Sequence, residues 1–177
     1  MKLTTKEIIV CGLFASITAV LSQISIPLPF TTVPITMQVF AVMLTGLLLG
    51  PKLGTISQVI YVLLGSIGIP VFAQMSGGMG IVLGPTGGFI LSFPLLALIV
   101  GYFAKKYKSK SMVFVGMIVG VLVNYLVGTL QFCFVTDMNF MAGLMACVVP
   151  FVAVDILKII LAYIIGTSIN KRIKLGV

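Results

Sequence analysis

The sequence predicts an all-α integral membrane protein, a bundle of six transmembrane helices with both termini in the cytoplasm. Three observations carry this. First, 60% of the 177 residues are hydrophobic and only 8% are charged, whereas a soluble domain has about a quarter of its residues charged. Second, the mean hydropathy is +1.28. Such a chain has too few polar residues to cover itself in water, so its solvent is a bilayer. Third, the bases are grouped: Lys2 and Lys6, then Lys52, then Lys105, Lys106, Lys108 and Lys110, then Lys171, Arg172 and Lys174.

A span needs about 20 mostly apolar residues. Six candidates follow in order, at roughly 7–25, 35–50, 53–70, 84–104, 111–135 and 142–169, in one domain over 1–177. Lysines before the first apolar run resemble a signal peptide. That run continues from Ile8 to Ile24 without a clear small-residue cleavage site, so it reads as a retained span. It carries Ala15 and Ala19, small residues four apart that let another helix approach, from this chain or from another subunit. The second and third spans form a hairpin around Gly50-Pro51-Lys52-Leu53-Gly54.

Two connections are unlike ordinary loops. Residues 25–36 hold Pro27, Pro29 and Pro34, which impose extended backbone and exclude a helix. Residues 74–88 are glycine-dense and carry no charge. Both are too apolar for solvated connectors. Irregular backbone at membrane depth is buried in protein or lines a cavity, so both are expected to fold back over the outer mouth of the bundle.

The fifth span carries Asn124, Tyr125, Thr129 and Gln131 on two neighbouring stripes. Polar groups of this kind either bond between helices or line a site. The sixth carries Pro150, which removes a helical hydrogen bond and kinks the helix. Asp155 and Lys158 follow. Three residues apart, they sit about 60° apart around a helix and share a face. Each charge costs roughly 2.5–3.5 kcal/mol at a helix centre. They form either a salt bridge that locks packing or a ligand site, with the acid accepting N–H donors and the ammonium meeting an anion.

Six spans place the four basic groups on one side, ten of the 11 Lys/Arg in all; Lys158 is the eleventh. Cationic loops mark the cytoplasmic side. The net charge of +8 therefore reads as topology, not as nucleic-acid binding. Histidine is absent and Cys11, Cys133 and Cys147 are isolated, which excludes a Cys/His metal site and a His-based triad. With no catalytic pair, no metal site and no cofactor motif, the chain is expected not to be an enzyme.

Particular runs carry a resemblance. Val33-Pro34-Ile35-Thr36-Met37-Gln38, the turn from Gly46 to Gly54, Gly68-Ile69-Pro70-Val71-Phe72-Ala73, Gly84-Pro85-Thr86-Gly87-Gly88-Phe89 and Pro150-Phe151-Val152-Ala153-Val154-Asp155-Ile156-Leu157-Lys158 together resemble the BioY family. These are the biotin-binding S components of energy-coupling factor (ECF) transporters, and the likeness covers nearly the whole chain. It implies a six-helix S-component bundle in the plasma membrane, with ligand held near the outer face beneath the loops after the first and third spans. It implies partners: biotin, a transmembrane coupling subunit and two ABC-type ATPase subunits. Such bundles are thought to topple to release ligand to the cytoplasm. Ala15 and Ala19 would then meet the coupling subunit.

Biotin's chemistry fits the charged pair. Asp155 suits the ureido N–H groups; Lys158 suits the valerate carboxylate, or holds Asp155 ionised. Gly77 and Gly78 could offer backbone N–H groups without side-chain obstruction. Gln74, Ser76, Tyr125 and Gln131 are further candidates. The alternatives are an S component for a different small vitamin and a self-sufficient small-molecule transporter.

Overall fold

The computed structural model describes residues 3–107 and 109–172, with side chains described through residue 170. Lys2, Lys108 and Lys174 lie outside the described residues, as do the side chains of Lys171 and Arg172. Helix α1 (Thr5–Ser22) starts on a capping box, with the Thr4 amide donating to Glu7 and the Glu7 amide donating to the Thr4 hydroxyl. These bonds satisfy amides that a helix start otherwise leaves open.

The prolines of the first connection do exclude a helix. Strands β1 (Ser25–Leu28) and β2 (Thr31–Thr36) pair antiparallel, with the register shifting between Ile26 and Leu28, at Pro27. Proline cannot donate to the ladder, so an irregularity there is its natural place.

The long helix α2 (Gln38–Ser66) is two antiparallel arms. Gly50 has φ 74°, ψ −177° and breaks the helix; that region is essentially glycine-only. Pro51 then opens the second arm, where its missing N–H costs nothing. Side chains 23 and 13 residues apart meet across the arms: the Gln38 amide donates to the Tyr61 hydroxyl at 2.7 Å, and Gln58 to Thr45 at 3.3 Å. Gln58 also donates to Thr18 at 3.0 Å, which ties α1 to both arms. Backbone approaches backbone where α2 meets α5: a Cβ at Gly46 would lie 2.6 Å from the Ala97 carbonyl oxygen.

After α2 come a 3-10 turn at Ala73–Met75 and three helices, α3 (Met79–Val82), α4 (Gly87–Leu91) and α5 (Phe93–Lys106). Helix α6 (Lys110–Thr136) ends on Asp137 in the left-handed conformation. Its stripe Leu122, Leu126, Leu130 and Phe134 is exposed, Phe134 by 86%. An apolar row of this kind suits lipid rather than water. The last stretch is split into α7 (Phe140–Cys147), a 3-10 turn at Val149–Phe151 and α8 (Val152–Arg172). Among the described residues, five helical stretches are long and apolar enough to cross a membrane; α2 folds back on itself within one of them. The fold is a multi-pass membrane bundle.

Glu7, Lys52, Lys105 and Asn170 border one hollow. The start of α1, the α2 turn and the ends of α5 and α8 therefore share one end of the bundle. The β-hairpin and the 67–86 segment lie at the other.

Ala15 is packed inside the bundle. It is 2% exposed and belongs to the chain's own core, with Ala19 half-buried against it. The small residues pack against this chain's own helices. The outward row of α1 is Ile9, Leu13, Ser16 and Val20.

Candidate functional site

A cavity of about 220 Å³ lies under the loop end. Both unusual connections build it: Val33, Pro34 and Thr36 of β2 on one side, Phe72, Ala73, Gln74 and Ser76 on another. Phe89, Ile90 and Phe93 from α4 and α5, and Phe151 before α8, complete an apolar and aromatic wall. A mostly apolar pocket with a few placed polar groups is the usual form of a small-molecule site.

The charged groups sit together on one wall. The break at Pro150 places Asp155 in the first turn of α8, where the helix dipole favours a negative charge. Lys158, one turn on, donates to Asp155 Oδ1 at 2.6 Å. The Tyr125 hydroxyl donates to Asp155 Oδ2. Asp155 and Lys158 are 3% and 4% exposed, so the charges are paired and hydrogen-bonded, as burial requires. One ammonium and one carboxylate leave the cluster without net charge.

Asn124 stands beside them in the wall. Its Nδ2 donates to the Phe89 carbonyl at 2.9 Å and to Ser92 Oγ at 2.7 Å. Those bonds fix the amide and, among the described residues, leave Oδ1, a buried acceptor, without a partner. Buried polar atoms are nearly always hydrogen-bonded, so an orphan acceptor beside a cavity suits a ligand N–H.

The opposite wall is self-satisfied. Thr36 donates to Gln38 Oε1 at 3.0 Å, Gln38 to the Tyr61 hydroxyl, and Tyr61 to the Val71 carbonyl at 3.0 Å. The 72–76 segment is held from α1: Gln23 donates to the Phe72 carbonyl at 3.0 Å and accepts from the Met75 amide at 2.8 Å. Gln74 and Met75 both have positive φ, 59° and 53°, a backbone uncommon for non-glycine residues and sustained here by those bonds.

Of the residues singled out in sequence, Asp155, Lys158, Tyr125, Gln74 and Ser76 line the cavity. Gly77, Gly78 and Gln131 stand outside it. The Gly78 amide donates to the Gly65 carbonyl at 2.7 Å. Gln131 spends its amide on the carbonyls of Val82 and Gly84, at 2.8 and 3.0 Å, and so ties α3 to α6. Sequence reasoning did not select Asn124, although it is adjacent to Tyr125 on a polar stripe. Nor did it select the aromatic wall, since phenylalanines in an apolar chain give no separate signal.

An apolar bundle with a paired, polar cavity roofed by two loops defines a multi-pass membrane protein built to hold a small molecule. The BioY family model matches residues 1–175. A probable biotin transporter BioY of Pyrococcus horikoshii is 42% identical, over 93% of this chain and 96% of its own length. A biotin transporter BioY of Thermotoga maritima is 36% identical, over 94% and 96%. The crystal structure of the S-component for biotin from an ECF-type ABC transporter superposes with TM-score 0.88 at 28% identity, covering 96% of this chain and 95% of that one. The chain belongs to the BioY family. It has the S-component membrane fold and is a transport protein, not an enzyme.

Proposed function

We propose that this chain is the biotin-capturing S component of an ECF importer in the plasma membrane. It acts as one six-helix membrane domain with both termini cytoplasmic. It binds biotin at the loop end, docks on a transmembrane coupling subunit with two ABC-type ATPases, and hands biotin to the cytoplasm. The observation that carries the ligand reading is the neutral cluster of Asp155, Lys158, Tyr125 and Asn124 against an aromatic cavity. Likeness to named biotin transporters over the whole chain supports it.

The cluster suits the ureido end of biotin. A ureido group offers two N–H donors and one carbonyl acceptor and carries no charge. Asp155 and the free Asn124 Oδ1 are acceptors for the donors. Lys158 has three donor hydrogens and spends one bond on Asp155, so it can reach the carbonyl. The valerate carboxylate, which Asp155 would repel, then runs to the rim, where Gln74 and Thr86 offer donors.

Equilibrium binding of labelled biotin, thiamine and riboflavin to purified protein tests the reading. Saturable binding of biotin alone is expected, and its absence sinks the proposal. Biotin methyl ester tests the orientation. Asp155→Asn should weaken ester and acid by the same factor; an effect confined to the acid would put the valerate at Asp155.

A further inference from the structure

We propose that Gly65 and Gly128 are positioning residues that set which ligands the cavity admits. Each is the seat of an aromatic ring that forms a cavity wall. Gly65 lies in the second arm of α2 and Gly128 in α6. A Cβ at Gly65 would overlap the tip of the Phe72 ring, and a Cβ at Gly128 would overlap the edge of the Phe89 ring. Phe72 and Phe89 both line the cavity. The inference rests on the biotin reading above and adds to it what limits the width of the site.

An added methyl has to be accommodated, and the surroundings decide how. At Gly128 the backbones cannot part cheaply. The Phe89 carbonyl accepts from Asn124 at 2.9 Å, and α4 lies so close to α6 that a Cβ at Gly88 would be 2.6 Å from the Val127 carbonyl oxygen. At Gly65 the Phe72 backbone is held at both ends. Its amide donates to the Ser76 carbonyl at 2.9 Å, and its carbonyl accepts from Gln23. The Tyr61 ring meets Phe72 edge-on at 5.6 Å and blocks a sideways swing. Packed interiors have few voids, and the empty space beside each ring is the cavity. The ring therefore yields into the cavity, and the ligand space narrows while the polar cluster stays in place.

The test compares biotin with desthiobiotin, which keeps the ureido ring but replaces the rigid second ring with a flexible chain. Gly128→Ala should weaken biotin about tenfold, the scale of one misplaced methyl in a pocket. It should weaken desthiobiotin several-fold less, so the ratio of the two dissociation constants shifts. Gly128→Ala with Phe89→Leu should recover biotin binding, because the smaller side chain gives way. Gly116→Ala is the packing control: it crowds Phe103, which is not in the cavity wall, and should leave the ratio unchanged. An unchanged ratio in Gly128→Ala, or no recovery in the double variant, overturns the proposal. So does a double variant that fails to fold while Phe89→Leu alone folds, since Gly128 then serves helix packing only. If the unaltered chain binds no biotin, the ligand reading fails first and separately.

Discussion

Asp155 has two jobs, and they can be separated by substitution. It neutralises Lys158 and it faces the cavity. Asp155→Asn should leave a buried ammonium uncompensated and lower stability by about 3–5 kcal/mol, together with at least a tenfold loss of biotin affinity. Asp137→Asn, at an exposed helix end, should change neither. Adding Lys158→Met to Asp155→Asn should return most of the stability, because replacing both partners removes the stranded charge. Binding should stay lost. Thermal unfolding and calorimetric titration of the three variants check this; recovered binding in the double variant would make the pair a packing device.

At the scale of elements, two short sequences decide how helices meet. Gly50 turns α2 back on itself at a backbone conformation closed to other residues. Gly50→Ala should cost about 1–3 kcal/mol, read as a lower unfolding temperature with the biotin affinity of the surviving fold unchanged. Ala15 is the other case. Overpacking a filled core costs about 1–3 kcal/mol, and tryptophan is far larger than alanine. Ala15→Trp should therefore reduce both folded yield and binding. Intact binding with blocked uptake would instead assign Ala15 to a partner interface.

For the whole molecule, the proposed function predicts that binding and transport are separable. A ligand at 100 times its dissociation constant stabilises the folded state by about 2.7 kcal/mol, so biotin should raise the unfolding temperature of the chain alone and thiamine should not. Vesicles holding the chain alone should bind biotin without accumulating it. Accumulation should require the coupling subunit, both ATPases and ATP. Among the described residues, the interior charges Asp155 and Lys158 are paired with each other. Accumulation without the module would establish a self-sufficient transporter.

Composition and charge placement determined the membrane class. The Gly50-Pro51 hairpin, the extended prolines of 25–36 and the Asp155–Lys158 pairing were likewise legible, because each follows from local covalent geometry or helical spacing. The tertiary structure decided what depends on distant neighbours. Ala15 and Ala19 share the spacing of a close-approach stripe, and only the tertiary packing shows Ala15 buried in the chain's own core with Ala19 half-buried beside it. Gln131 looked like Asn124, two polar amides on one helix. One is consumed by the carbonyls of Val82 and Gly84; the other belongs to a residue that lines the cavity and keeps a buried acceptor without a partner among the described residues. Spacing along a helix says which residues share a face. Which face meets a loop, a lipid or a ligand is a matter of long-range packing, and no local pattern encodes it.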